Sequence, residues 1–456
     1  MSPDIDADVV ILGAGSGGYA CALRAAQLGL SVVLVERDKL GGTCLHVGCI
    51  PTKAMLHAAE VADTARHAAA IGVDLGEPSI DLGRVAAYRQ GVVDRLFKGL
   101  TGLVKGRGIE VVAGEGRVVD ASSVAVGDRV IRGRHLVLAT GSVPKVLPGI
   151  ALSERVVTSD GALALTTVPE RVVVLGGGVI GVEFASVFAS FGAQVTVVEA
   201  LPRLVAAEDP ALSDGLQRAF RQRGIATRLN APVTGVSEDA DGVTVTFAEG
   251  EPLSADLVLV AVGRGPAPVP GIENLDVETD RGYVLTDSVC RTRVPRVYAV
   301  GDLVPGLQLA HRGFAQGILV AEEIAGLQPA PIVESGIPRV TYCEPEVASV
   351  GLTEAAARER YGEVDVVEYN LAGNGKSQIL GTRGFVKLIR AKGGPVVGVH
   401  LLGSRVGEQI GEAQLIVGWE AHAEDVAALI HAHPTQNEAL GEAHLALAGK
   451  PLHAHA

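Results

Sequence analysis

Residues 8–18 read DVVILGAGSGG, an aliphatic run closed by a GxGxxG pattern on Gly13, Gly15 and Gly18. So short and continuous a run fits a parallel strand buried on both faces. A helix is expected through Leu28, then a second strand from Ser31 to Val35 ending on Glu36, 23 residues past Gly13. Alone, spaced glycines are a weak signal. Between a strand and a helix, with an acid at that distance, they mark a dinucleotide-binding βαβ unit. The glycines let backbone approach a pyrophosphate at a helix N-terminus, and Glu36 can accept hydrogen bonds from a ribose.

The pattern recurs. Residues 171–175 (RVVVL) lead into Gly176, Gly178 and Gly181, a helix follows, and the next strand, Val195–Val198, ends on Glu199, again 23 residues past the first glycine. Two such units imply two dinucleotide sites, although a structural copy without ligand has the same pattern. A 2′-phosphate would be repelled by Glu199 and would want arginines; the nearest beyond it is Arg203, so NAD is expected over NADP. Two further strands, residues 136–140 and 257–262, end on Gly141 and Gly263 and mark where the chain crosses between nucleotide domains.

At 456 residues, two to four domains are expected. Hydrophobic residues make up 48% of the chain, enough for large cores. A net charge of −13 argues against nucleic acid or an anionic membrane as the main partner. No apolar run approaches the roughly 20 residues of a membrane helix. The acidic N-terminus enters a strand directly and does not read as a signal peptide. A cytoplasmic location is expected.

The five cysteines are no secreted framework. Cys21, Cys290 and Cys343 read as core thiols. Cys44 and Cys49 differ, standing five apart in GGTCLHVGCIPTK (residues 41–53). On an ideal helix that spacing separates Cα atoms by about 8.7 Å, whereas a disulfide wants less than about 7 Å. A bond between them needs a distorted turn, which Gly48 permits and the missing Pro51 N–H favours. So small a ring contributes only roughly 2 kcal/mol, which suits thiol exchange better than stapling. Two unrelated buried thiols are the bland alternative. A metal pair is another, but no second Cys/His pair stands nearby at zinc-ligand spacing.

Residues 57–106 read as largely helical, with a loop at 72–79. Asp302 follows the buried run 296–300 and can bond a cofactor polyol or cap a helix starting near Leu309; taken alone, capping is favoured. From about Ile337 alternating strands give way to helical stretches at 405–422 and 423–432, an α+β domain. It carries His433 and Glu438 in HAHPTQNE, a pairing that can place a base near neutral pH; a linker histidine beside a helix-start acid is an equal reading. Pro434 is expected to break the preceding helix. His444, His453 and His455 read as terminal composition, and no metal site is expected.

A short disulfide, two dinucleotide units and a His–Glu pair make a coherent electron path, from a nicotinamide through a two-electron relay to a disulfide, and the relay argues for a flavin. Residues 41–53 closely resemble the active-site signature of the class I pyridine nucleotide-disulfide oxidoreductases. The similarity runs through GAGSGG, GGGVIGVE, YAVGD, YCEPEVASVGLTE and HAHPTQNE, over essentially the whole chain. It implies two Rossmann-like α/β domains, for FAD and NAD, and a C-terminal α+β dimerisation domain. The ranges expected are 1–145 and 265–336 for FAD, 146–264 for NAD and 337–456 for the interface. Within the family the resemblance is to the branch that oxidises protein-bound dihydrolipoamide. It implies Cys49 against the flavin, Cys44 as interchange thiol, and Lys53 near the flavin and paired with Glu183. Gly13, Gly15, Gly18, Glu36, Asp302 and Ala310 match FAD contacts; Gly176, Gly178, Gly181 and Glu199 match NAD contacts; Gly141 and Gly263 fall at the crossing strands. His433 and Glu438 match an acid–base dyad that reaches across a homodimer. The partners implied are lipoyl domains and the acyltransferase core of 2-oxo-acid dehydrogenase complexes.

Two departures stand out. His46 replaces a usual asparagine between the cysteines and can tune their thiolates, and Gln436-Asn437 replaces a usual Leu-Ser. Rival readings are a reductase of another small disulfide, such as glutathione or mycothione, and a non-catalytic assembly subunit of the same fold. Glu199 and Val179 speak against a glutathione reductase. The last cysteine being Cys343 excludes relatives that need a C-terminal pair.

Overall fold

A computed structural model describes residues 5–453; positions 1–4 of the N-terminal reading, and His455, lie outside them. The chain forms two compact units. One comprises residues up to Ala54, Gly83–Lys145 and Gly263–Ile332; the other comprises Met55–Leu82, Val146–Val262 and the chain from Val333.

In the first unit, β1 (Ala7–Leu12) is followed by α1 (Ser16–Gln27), β2 (Val32–Glu36), α2 (Gly42–His46) and α3 (Cys49–His67). Then come α4 (Leu82–Gly106), β3 (Glu110–Ala113), β4 (Gly116–Asp120), β5 (Ser123–Val126) and β6 (Arg129–Leu138). The sheet order is β3-β2-β1-β6-β5-β4, with strand Val297–Ala299 also on β6. Strands β3, β2 and β1, the end of β6 and Val297–Ala299 run parallel. Both faces are covered, so β1 is aliphatic from Val9 to Leu12: Val9 and Ile11 pack with α1 and Leu319, while Val10 and Leu12 pack with Ile131 and Leu138. Burying each such side chain contributes roughly 1.5–3 kcal/mol. The chain crosses from β1 to β2 on one side and β6 lies on the other, so a crevice opens beyond the carboxyl end of β1, where open α/β sheets bind ligands.

The second unit repeats the motif with strand Arg171–Leu175, helix Val179–Ser190 and strand Gln194–Val198 in a five-stranded parallel sheet. It also holds an antiparallel sheet of Arg339–Thr341, Glu346–Gly351, Val396–Gly403, Phe385–Ala391 and Val364–Asn370, in that order. Helices Val406–Gly418 and Glu438–Leu447 pack on this sheet through Ile410, Ala413, Leu440 and Ala443. Among the described residues no helix is long and apolar enough to cross a membrane.

Several local expectations need correction. The helix expected at 423–432 ends at Ala427, six residues before His433. Pro434 therefore breaks no helix; it sits in a loop behind a cis peptide bond. His444 is no tail residue. It is fully buried in helix Glu438–Leu447, its Nδ1 2.7 Å from the Leu440 carbonyl. The long helix before the 72–79 loop starts at Cys49 rather than near His57.

A buried ionic cluster ties the start of helix Pro210–Gln222 to the antiparallel sheet. Lys387 Nζ lies 2.9 Å from Asp209 Oδ1 and 2.8 Å from Glu354 Oε2, with Asp209 wholly buried. Burial alone would raise the Asp209 carboxyl; the Glu354 N–H and Lys387 hold it below the ordinary value. Its contribution is therefore complete above the unfolded value and is lost as pH falls through the depressed folded one. Lys387→Met leaves that carboxylate buried without its cation and is expected to cost about 3–5 kcal/mol in urea denaturation at neutral pH. A loss below about 1 kcal/mol would show that the cluster is dispensable.

Candidate active site

The two glycine fingerprints have the same geometry. Gly13 and Gly176 have φ of 103° and 109°, a region open to glycine. A Cβ on Gly18 would lie 1.9 Å from the Gly13 carbonyl oxygen, and one on Gly181 1.9 Å from that of Gly176, so helix and strand touch through bare backbone. At Gly15 and Gly178, which precede the helices in extended conformation, an added Cβ would meet nothing. That open space faces the helix N-termini, the position for a pyrophosphate.

The acids also match. Glu36 Oε2 accepts the Ala14 N–H at 2.7 Å and Oε1 the Asp38 N–H at 2.9 Å. Glu199 takes Gly177 N–H at 2.6 Å and Leu201 N–H at 2.8 Å. Each oxygen keeps a further lone pair for a ribose hydroxyl. Arg203, the nearest arginine past Glu199, donates to the Ala206 carbonyl.

The first unit also has unmet polar groups where a cofactor would lie. Thr140 Oγ1, beside Gly141, and Gln308 Nε2, two residues before the helix opening at Ala310, are buried with no hydrogen-bond partner among the described residues. Asp302 does not cap that helix, whose N-cap is Leu309. Its Oδ2 accepts the Ser142 hydroxyl at 2.6 Å, and Ser142 Oγ also takes Arg264 Nε at 2.8 Å. Ser142–Pro144 pairs with Arg264–Pro266, bringing Gly141, Gly263 and Asp302 together at the crossing. These residues fit a bound dinucleotide.

The thiol segment docks on the first fingerprint. Gly41 N donates to the Ala14 carbonyl at 2.9 Å, and a Cβ on Gly42 would lie 2.7 Å from Gly15 Cα. The expected distortion between the cysteines is a break: α2 ends at His46 and α3 begins at Cys49. A Cβ on Gly48 would approach Thr43 O to 2.9 Å and Cys44 Cα to 3.2 Å, so glycine is what lets the two helices close up. Pro51 is the third residue of α3, where its missing N–H costs nothing.

Both cysteines are free thiols in this structure. The Cys44 thiol is pushed up, first by its hydrogen bond to Cys49, then by burial and by the Cys49 charge, while Lys53 opposes. Cys49, the first residue of a 19-residue helix, has its negative charge favoured by the helix dipole. Tyr19 faces the pair: burial and then the two cysteines push its hydroxyl up to about 12. Sequence reading missed Tyr19, because only the packing of α1 places it there. His46 Nε2 lies 2.8 Å from the Leu40 carbonyl, with its ring edge-on to Phe97. It holds the turn entering α2.

In the second unit, Glu183 is buried and accepts the Tyr342 N–H at 2.9 Å. His433 Nδ1 lies 2.8 Å from Glu438 Oε1, whose other oxygen takes the Thr435 N–H at 2.7 Å. A carboxylate only accepts, so His433 carries its proton on Nδ1 and offers Nε2 as a base. The His433 side chain is 75% exposed.

The sequence model of pyridine nucleotide-disulphide oxidoreductases matches residues 7–317, and that family's dimerisation domain matches 337–444. The chain belongs to this family. Over 98% of its length it is 41% identical to a dihydrolipoyl dehydrogenase of Bacillus subtilis, covering 98% of that protein, and 39% identical to one of Geobacillus stearothermophilus, also covering 98%. A mitochondrial dihydrolipoyl dehydrogenase of Pisum sativum is 39% identical, with 98% of this chain and 92% of that one covered. Among solved structures, LpdA of Mycobacterium tuberculosis superposes with a TM-score of 0.90 at 25% identity, covering 96% of this chain and 99% of that one. The HOCl-induced flavoprotein disulfide reductase RclA of Escherichia coli, as its Cu(II) complex, gives 0.88 at 29%, covering 97% and 99%. The family uses FAD and NAD.

Proposed function

We propose that this protein oxidises protein-bound dihydrolipoamide to lipoamide and delivers the two electrons to NAD⁺, working as a cytoplasmic homodimer with the lipoyl domains of 2-oxo-acid dehydrogenase complexes and their acyltransferase core. The observation that carries this reading is the hydrogen-bonded Cys44–Cys49 pair docked on the first nucleotide loop. Near 40% identity to dihydrolipoyl dehydrogenases over nearly the full length supports the choice of substrate.

In the oxidised enzyme Cys44 and Cys49 share a disulfide. A substrate thiolate attacks Cys44 Sγ; the S–S bond breaks and Cys49 leaves as thiolate, stabilised at the start of α3 and by Lys53. His433 of the partner subunit takes the proton of the second substrate thiol, and Glu438 stabilises the resulting imidazolium. That thiolate attacks the substrate sulfur of the mixed disulfide, Cys44 is released, and lipoamide forms. FAD, when bound, supplies the two-electron relay between the dithiol and NAD⁺. Gly13, Gly15, Gly18, Glu36, Gly141, Asp302 and Ala310 would hold it, with Lys53 beside its ring. Gly176, Gly178, Gly181, Glu199 and Gly263 would hold NAD. In domain terms, 1–145 and 265–336 serve FAD, 146–264 serves NAD, and 337–456 forms the interface.

The deciding assay offers NADH and NADPH, each with lipoamide and with glutathione disulfide, to the purified yellow protein. NADH with lipoamide should dominate; a preference for NADPH with glutathione disulfide would reassign the substrate. Gly181→Ala should raise KM for NAD⁺ by about tenfold or more, because its methyl cannot fit against the Gly176 carbonyl. Bound FAD should be unaffected, and unchanged KM would remove NAD from the second fingerprint.

A further inference from the structure

Behind the dyad lies a second histidine–glutamate pair. His431 Nε2 lies 2.9 Å from Glu412 Oε1, on helix Val406–Gly418, and the other Glu412 oxygen accepts the Asn437 side-chain amide. Glu412 thus grips both ends of the turn, residues 431–437, that presents His433. The His431 ring lies flat on the following helix: a Cβ on Gly441 would come within 2.5 Å of its Nδ1. Gly441 is one turn beyond Glu438, so His431 and His433 flank the same carboxylate. Gln436 adds two further ties, to the Ser377 hydroxyl at 2.6 Å and the Ser404 carbonyl at 3.1 Å.

We propose that His431, held by Glu412, is a positioning residue that sets how strongly Glu438 can stabilise a proton on His433. This rests on the reading of His433 as the base. The titratable groups facing His431 are Glu412 on one helix and Glu438 and His444 on the other. The bond to Glu412 is the main cause that raises His431 above its ordinary value, against burial, with the charges of Glu412 and Glu438 adding. Burial lowers His444 below its ordinary value. When protonated, His431 draws on the charge of Glu438 from one side while His433 draws on it from the other. Removing the His431 charge leaves Glu438 wholly to His433, which then holds its proton to higher pH.

The test follows kcat/KM for dihydrolipoamide against pH in the FAD-loaded dimer, alongside an NMR titration of the His433 ring, its signal assigned by its loss in His433→Ala. In His431→Gln both the acid limb and the ring titration should move up by on the order of 0.5–1 pH unit. Gly441→Ala, which displaces the ring, and Glu412→Gln, which removes what keeps it charged, should shift them the same way by less, so a His431 variant that fails to fold still leaves a test. A uniform loss of rate with both curves unmoved would overturn the proposal and leave the pair as structural support. An acid limb that survives His433→Ala would instead unseat His433 as the base, and the ring titration still decides whether His431 acts on it.

Discussion

Cys49→Ser should abolish dihydrolipoamide oxidation, with turnover down on the order of 10⁴-fold or more, while the protein stays folded and yellow. Serine cannot form the disulfide that accepts the substrate's electrons, and no other thiol is placed to substitute. Cys21 is wholly buried and pushed up to about 12 by that burial, and burial likewise pushes Cys343 well above its ordinary value. Reduction of the parent under denaturant-free conditions should therefore expose one reactive pair that the oxidised parent lacks. The single variants should also differ from each other. In Cys44→Ser the remaining Cys49 heads α3 beside Lys53 and should alkylate faster near pH 7 than Cys44 does in Cys49→Ser. Retention of a tenth of parental turnover in Cys49→Ser, or no thiol pair released by mild reduction, would remove the thiols from the reaction.

His433→Ala should lower turnover by about 10²–10⁴-fold, the range of a lost general base, and keep FAD. The side chain is 75% exposed and its side-chain hydrogen bond is to Glu438, so truncation should change stability by less than about 0.5 kcal/mol. Glu438→Gln should lose less activity, since the amide still meets the imidazole but no longer neutralises the imidazolium. Glu438 also accepts the Thr435 N–H and opens a helix, so some of its loss will be structural. Near-parental turnover in His433→Ala would move the proton transfer elsewhere. A colourless His433→Ala would make the residue structural.

Both effects concern groups whose identity is legible in one dimension and whose arrangement is not. The GxGxxG patterns and their acids were readable because the constraint is local: a strand, a tight turn and a helix fall within about 25 residues, and backbone contact leaves room only for glycine. The two cysteines were readable for the same reason. The break between them was legible only as a need, met by Gly48 closing on Thr43 and Cys44. Asp302 shows the limit. Its local context favoured a helix cap, yet its partner is Ser142, 160 residues away in sequence, and pairing of that kind is set by how strands cross.

By itself, then, the amino-acid order determined the two nucleotide folds, the close cysteine pair, the histidine–glutamate pair and the choice of a carboxylate at position 199, because each depends on side chains a few turns apart. Tertiary structure alone decided that Gly42 seats the thiol segment on Gly15, that Tyr19 faces the sulfurs, that Thr140 and Gln308 point unpaired polar atoms into the first unit, and that Glu412 reaches both His431 and Asn437. These contacts join segments far apart along the chain, and only the packing of helices on sheets brings their atoms within hydrogen-bonding or van der Waals range.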